Sequence, residues 1–536
     1  MCIRDRSASG TTTVGLNGTL TRFAPLGINV AEFGNSTLGP INGQAVIPFF
    51  TVAGGGSTGV AAGGFSGDSF GNVVASTSSH VEVDGDLNLA GTIDLVVAQD
   101  SLFLSGDGAE IFSYTGEGNV SATATPSIAS NFVSFNVVHD TGAQTVSVIA
   151  NRSSYSSAGT NVNAVSAATG FDSTFAEAVT GIRDDALGVA SFNSVEEIGF
   201  AQDIANLGAA LDFRLNETQA GELFDELSGG EIHGSVSAVN QSVLSNIPLQ
   251  TLKTSLIGGD ELGSRVYFNP FARHATLGGG EDFGASDVDV DSYGGNFGAD
   301  FAYSPNGAFG FAFGYGQHEV EAVGTQETAD LESFTAGVYA VQKFGNFYGT
   351  ADFSYSFSDI ETERVLDLTT RTITADYDAE QWDGGLEVGY AFELENGAVL
   401  SPYGRIAARN WDTEGFTEEG GGGVSLNVAE ESNTIFNPSI GGRATADFDA
   451  GNFNLRPYVD LSYTFQGNVD ADRSVDFVAG GDNFDLRGVD PDGFGTIDAG
   501  VNSTVSGIFS IFAGVKHSFS GDNEETTVRG GGSFKF

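Results

Sequence analysis

An apolar/polar alternation of period two runs almost unbroken through the second half of the chain and limits what that half can become. Side chains point to opposite faces along a strand. In 347–357 one face therefore carries Phe347, Gly349, Ala351, Phe353, Tyr355 and Phe357, and the other Tyr348, Thr350, Asp352, Ser354 and Ser356. Phe309, Phe311, Phe313 and Tyr315 repeat the pattern over Gly310, Ala312, Gly314 and Gly316. Phe453, Leu455, Pro457, Val459, Leu461, Tyr463 and Phe465 repeat it over Asn454, Arg456, Tyr458, Asp460, Ser462 and Thr464. Strands of a soluble sandwich average about 5–6 residues. These alternations persist for about ten and more, enough to cross a bilayer at a tilt of about 45°.

The connections agree with a transmembrane barrel. Short Gly- and Asn-bearing turns stand at 304–307, 344–346, 395–397 and 449–452, where positive φ suits tight hairpins. Longer polar loops are expected at 324–328, 362–371, 416–431 and 468–492. Short turns on one side and long loops on the other place the short turns in the periplasm, and the hairpins add up to about twelve strands. The chain stops on Val528, Gly530, Gly532, Phe534 and Phe536, an alternating face with an aromatic last residue. That ending resembles the signal by which outer-membrane barrels are recognised by their assembly machinery, with Val528, Phe534 and Phe536 as its residues.

Composition narrows the partners. With 21 Lys and Arg against 70 Asp and Glu the formal charge is -49, which argues against nucleic acid. Spread through loops and strand faces, such charge reads as solvation, with repulsion from or cation-bridging to anionic outer-leaflet lipid as its functional counterpart. The single cysteine, Cys2, allows neither an internal disulfide nor a thiolate metal site. No run of about 18 apolar residues marks a transmembrane helix. Met1-Cys2-Ile3-Arg4-Asp5-Arg6 passes directly into Ser, Ala, Gly and Thr, without the apolar stretch of an export signal, so the sequence is expected to be a fragment.

Before the barrel, residues 7–150 are rich in Gly, Thr, Ser and Val. The stretch 81–97 reads as three short strands with Gly corners, and 110–114 to 131–135 continues it. Such runs suit the rungs of a right-handed parallel β-helix, a sandwich-like cap being the alternative. Residues 151–170 read as a linker. Helical spacing follows in Phe171, Phe175, Val179 and Ile182, then in Ile204, Leu207 and Leu211 after Ile198. Asn216 opens another helix that ends near Ser228-Gly229-Gly230.

The segment Leu223-Phe224-Asp225-Glu226-Leu227-Ser228-Gly229-Gly230-Glu231-Ile232-His233-Gly234-Ser235 resembles the "aLdqLSGEiHaS" stretch just upstream of the barrel in monomeric autotransporters of the type V secretion class. It departs by one extra glycine, Gly229-Gly230 for a single Gly, which shifts the helix phase. Leu227, Ser228, Gly229, Gly230, Glu231, Ile232, His233, Gly234 and Ser235 are thus the expected junction motif. The resemblance implies a mainly β chain in three parts. Residues 1–150 are the end of a β-helical passenger, 151–262 a linker and helical junction, and 263–536 a twelve-stranded antiparallel barrel with a helix in its lumen. It further implies a pore-threading helix between Ile232 and Gly258. Pro248, welcome in a first turn and preceded by Asn246 as a cap, predicts two pieces with a kink at 246–248.

Other candidate chemistry is thin. Gly67-Asp68-Ser69-Phe70 evokes the nucleophile block of lipase passengers, but neither His80 nor His139 stands in that family's Asp-x-x-His arrangement. Asp287, Asp289 and Asp291 share a strand face yet lack the turn and distal Glu of a calcium loop. Asn240 and Asn246 lie where some autotransporters cut themselves, without the Asn-Asn pair of that subgroup. The expectation is a non-enzymatic, cofactor-free, metal-free, monomeric outer-membrane translocator with its passenger at the cell surface. Its partners would be lipid and lipopolysaccharide, periplasmic chaperones and the barrel-assembly machinery. The alternative is a surface adhesin for which the barrel is only an anchor.

Overall fold

The structure, a computed structural model, describes residues 57–60, 81–83 and 86–536. Within the last range 96, 98, 187–188, 190, 237–238, 240–246, 260, 280–283, 396, 451–452, 468–471, 489–492 and 522 are excepted. The alternating half forms β1 (Arg265–Leu277), β2 (Val288–Ser304), β3 (Gly307–Ala322), β4 (Thr328–Phe344), β5 (Phe347–Leu366), β6 (Arg371–Tyr390), β7 (Val399–Thr413), β8 (Glu431–Thr445), β9 (Phe453–Thr464), β10 (Phe494–Ser506), β11 (Phe509–Ser520) and β12 (Asn523–Lys535). Neighbours pair antiparallel in sequence order. β12 returns to β1, with Phe534 opposite Val266, so the sheet closes on itself.

The outward face locates the membrane. Along β5 it reads from Phe347 to Phe357, then changes abruptly to Asp359, Glu361 and Glu363. Asp359 stands opposite Glu332 and Asp378, and Glu361 opposite Asp330 and Asp376. Directly opposed like charges repel and are tolerated in water rather than hydrocarbon, so the apolar band ends between Phe357 and Asp359. Beyond it β5 continues for roughly 20 Å of tilted strand. The loop expected at 362–371 is correspondingly shorter, because Ile360, Thr362, Arg364 and Leu366 are buried on the inner face of this extension.

Among the described residues five α-helices precede the barrel: α1 (Val162–Ala186), α2 (Val195–Phe213), α3 (Glu217–Ser228), α4 (Gly230–Val236) and α5 (Ile247–Ile257). α1 begins inside the stretch expected to be a linker, because its small Ala164, Ala167 and Ala168 are fully buried and let it pack closely. Asn216 caps α3 in a reciprocal box with Gln219, and Gly229 ends it in the left-handed region at φ 64°. Gly229 thus stops α3 and Gly230 opens α4.

Further toward the N-terminus, strands Ser57–Val60, Leu87–Leu95 and Gly118–Pro126 pair in parallel, as do Val81–Val83 and Gly108–Tyr114. Val81 pairs with Phe112 and Leu87 with Gly118, the same 31-residue offset on both faces. Ser57 pairs with Thr92 at an offset of 35, and the strands bury their apolar residues against one another and against Phe213 of α2. Where three short strands were expected in 81–97 there are two, the second running straight through Gly91. Val133–Asp140 and Thr145–Arg152 end the unit as an antiparallel hairpin. Arg152 then fixes it to the helices, donating to Asp212 at 2.7 Å while its guanidinium lies 4.2 Å from the Tyr155 ring centre.

Candidate functional site: a plugged pore and its capped mouth

The lumen is built by the polar half of the alternation. Inward-facing Asp352, Glu387, Arg405, Asp460 and Asp498 line it, and its arginines are matched by carboxylates: Arg405 with Asp352 at 2.7 Å, Arg443 with Asp460, Arg529 with Asp498. Side chains facing a pore cannot reach lipid, so the strand alternation itself sorts these charges inward. On the β3–β4 side the wall is small, with Ala308, Gly310 and Ala312 facing in.

That space holds α5. Leu249, Leu252 and Leu256 pack against Ala308, Ala312, Tyr339 and Tyr348, while the opposite side meets the charged wall. Lys253 Nζ donates to Glu387 at 2.8 Å, both side chains buried, and the Tyr348 hydroxyl donates to the same carboxylate at 3.1 Å. Arg443 donates to the Gln250 side chain at 2.9 Å, and Arg265 to Thr251 at 2.8 Å. The last carbonyls of α5 receive Lys343 and Arg456, cations placed where the helix dipole favours them. Pro248 lies in the first turn of α5, as expected; Asn246, at the start of the expected kink, lies outside the described residues, as do Asn240, His80 and Gly67–Phe70.

Above α5 the inner wall changes character. Val290, Val320, Leu331 and Ile360 make it apolar, and Phe171, Phe224 and Ile232 of the helices join them in one buried cluster. Two barrel loops close over this cluster. Phe416–Thr417 and Leu426–Val428 from the β7–β8 loop, with Arg473–Phe477 and Phe484–Leu486 from the β9–β10 loop, form a four-stranded sheet above the mouth. Asn163 of α1 brackets the backbone of Arg487, donating to its carbonyl at 3.0 Å and accepting from its N–H at 2.7 Å. The lining around the threading segment is thus polar at α5 and apolar higher up, where Val236 and Val239 belong to the buried cluster.

The structure places the motif residues at the junction of helices and mouth. Leu227, Ser228 and Ile232 are fully buried. The Ser228 hydroxyl donates to the Asp225 carbonyl at 2.7 Å and accepts from the Gly230 N–H at 3.0 Å. Gly229 and Gly230 leave room where a Cβ would meet Leu426 and the Gly284 carbonyl, and Gly234 passes close to the Arg487 carbonyl. The His233 ring meets Glu418 at 2.8 Å, and Ser235 donates to the Ser286 carbonyl at 3.3 Å. Glu231 falls within α4. At the other end Val528, Phe534 and Phe536 face outward and are more than half exposed; Phe534 packs on Phe509 with ring centres 4.8 Å apart.

Glu418 and Arg364 were missed, each read as part of a polar loop. Arg364 donates to both Glu418 oxygens at 2.6 Å, and all three side chains in this group, with His233, are buried. Burial pushes the Glu418 carboxyl up, but Arg364 and His233 outweigh it and bring it down to about 2. Burial holds His233 below its ordinary value despite Glu418. One signal for the collar exists in the sequence: the inward face passes from Ser356 and Ser358 to Ile360, and from Ser333 back to Leu331. Asp289 and Asp291 do not converge, each taking a separate partner, Thr276 and His274 at 2.8 Å. No grouping of His, Cys, Asp and Glu suited to a metal occurs among the described residues.

A closed twelve-stranded barrel with an aromatic lipid face and a chain segment through its lumen defines an outer-membrane β-barrel of the kind that carries a domain outside. The family model of the autotransporter β-domain matches residues 266–533, half of the chain, and the protein belongs to that family. Among curated proteins it is 22% identical to an extracellular serine protease of Serratia marcescens, over 47% of this chain and 24% of that protein. It is 24% identical to outer membrane protein A of Rickettsia rickettsii, over 34% of this chain and 9% of that one. The chain thus spans at most about a quarter of the length of these relatives. Among solved structures, the translocator domain of autotransporter NalP from Neisseria meningitidis aligns with a TM-score of 0.43 at 13% identity, covering 55% of this chain and 95% of that domain. The β domain of the Bordetella autotransporter BrkA aligns at 0.40 and 18%, covering 51% and 100%.

Proposed function

We propose that this chain is the anchoring and translocating part of an autotransporter, carrying its own N-terminal segment through the outer membrane to the cell surface. The supporting observation is the path of the chain. It runs from the helices above the mouth to α5 in the lumen and into β1 at the periplasmic end. A chain threaded in this way is what remains when the segment before it has crossed the pore. In this reading residues 1–150 are the end of the passenger, 151–262 the junction, and 263–536 the barrel. The barrel does no chemistry of its own, and the passenger is read as non-enzymatic too. Val528, Phe534 and Phe536 address the chain to the barrel-assembly machinery after escort by periplasmic chaperones, and lipopolysaccharide surrounds the acidic strand extensions.

An epitope inserted at the exposed hairpin 141–143 tests the delivery. Antibody added to intact cells should stain it. Staining only after permeabilisation would leave the chain an anchor without transport.

A further inference from the structure

We propose that Glu418 is the positioning residue by which the barrel mouth captures the junction motif, and that His233 is the group it captures, so that together they mark the register at which transit stops. This rests on the translocator reading and names a device within it.

The two oxygens of a carboxylate have room for about four donors, and Glu418 receives four. Arg364 Nε and Nη2 each donate at 2.6 Å, the Leu426 N–H donates to the second oxygen at 2.8 Å, and the His233 ring completes the first at 2.8 Å. Three of these donors belong to the barrel and its loop; only the fourth comes from the junction. The receptor is held rigidly. The Glu418 N–H donates to the Leu426 carbonyl at 2.9 Å, Glu419 and Thr374 exchange backbone hydrogen bonds at 2.8 and 3.0 Å, and Phe416 stacks on Tyr377 at 4.0 Å. His233 reaches it across the face of Phe416, ring centres 5.1 Å apart. Its Nδ1 has no partner and is buried, which leaves the proton on Nε2, facing Glu418.

Position turns this contact into a register mark. α4 sits at the mouth, and α5 follows ten residues later inside the lumen. His233 can therefore meet Glu418 only when everything before it lies outside and α5 has reached the pore. The neighbouring motif residues fit closely in the same seat: a Cβ on Gly230 would stand 2.9 Å from the Gly284 carbonyl, and one on Gly229 or Gly234 would press to 3.0 Å of Leu426 or 3.1 Å of the Arg487 carbonyl. Arg364 also donates to the Glu226 carbonyl at 2.8 Å, so it holds the end of α3 as well as the receptor.

Hydrogen–deuterium exchange on the purified full chain in detergent tests the capture. His233→Phe fills the site but cannot donate, and should speed exchange in 217–236 by about 10- to 100-fold, as expected for loss of a hydrogen bond to a charged group. α5 and β7 should stay protected. His233→Gln, whose amide can donate to Glu418, should restore most of the protection. Glu418→Gln should loosen the same segment, and if that variant fails to fold because Arg364 loses its carboxylate, the His233 pair remains decisive. Unchanged exchange in His233→Phe, a Gln variant as loose as the Phe one, or loss of protection throughout the barrel would each overturn the proposal. Surface staining of the tagged passenger is read separately: staining with no loosening refutes the latch alone, and absent staining in the parent chain refutes the translocator reading.

Discussion

Replacing Lys253 by Met should release α5 from the lumen wall without unfolding the barrel. Lys253 and Glu387 are both buried and 2.8 Å apart. Removing one partner of a buried pair costs about 3–5 kcal/mol, because the other charge is left uncompensated. Here Glu387 keeps the Tyr348 hydroxyl at 3.1 Å, and the lumen's arginines stand nearby, so about 2–3 kcal/mol is the working figure. At 1.4 kcal/mol per tenfold, the undocked fraction should rise roughly 30- to 140-fold. Amide exchange in 247–257 reports that fraction directly when opening is local. Peptides from β3–β6 should exchange as before, and the apolar cluster above should keep the pore non-conducting. Restoring a matched pair of apolar residues, Lys253→Met with Glu387→Leu, should recover most of the protection, since replacing a whole buried pair is often nearly neutral. A rise below about threefold in the single variant, or no recovery in the double, would refute the claim that this pair holds the helix.

Deleting 232–256 removes both α4 and α5, and planar-bilayer conductance should then rise while thermal stability falls; unchanged conductance would mean that the pore is blocked elsewhere. Burial, with Asp367 and Glu222 adding to it, raises the Glu226 carboxyl to about 7, while Arg364 opposes the rise. A carboxyl raised on folding stabilises most when protonated, so the protection of 217–228 relative to the intrinsic exchange rate should fall as pH climbs from about 5 to 8, and Glu226→Gln should flatten that dependence. Cysteines placed at exposed Thr370 and Asn346 should react differently with an impermeant thiol reagent on intact cells, the first labelled and the second not; the opposite result inverts the barrel. Removing Phe534 to Phe536 should leave the chain in the periplasm for degradation. A charged residue in place of Phe536 should do the same; a charge at the membrane rim costs only about 0–1 kcal/mol, so that loss would come from recognition rather than stability, and normal outer-membrane levels would count against it.

The barrel was legible because one physical rule governs every strand of it. A strand between lipid and lumen must alternate, and it must be long, so Phe309–Tyr315 and Phe347–Phe357 announce themselves without any partner being known. The lumen helix was expected from the resemblance of the junction motif, and the Pro at its start and the small inner residues on β3 agree with it. The capped mouth was not legible, because its parts carry no local sign. Arg364 and Glu418 sit in stretches whose outward residues are acidic and polar, and from one strand alone such a stretch is indistinguishable from a solvated loop. Only a helix packed against the inner face makes Ile360 and Leu366 core residues and the intervening Arg364 a buried cation in need of a carboxylate. That carboxylate is 54 residues away, and the histidine completing it is 185 away. The first turns of α1 were hidden for the converse reason: they are rich in Asn, Ala and Ser, a composition shared with linkers, and only the close approach of other segments, such as Phe484 against Gly170, uses their smallness. Where a segment meets a uniform medium the sequence alone carries the answer; where it meets another segment, the answer lies in both.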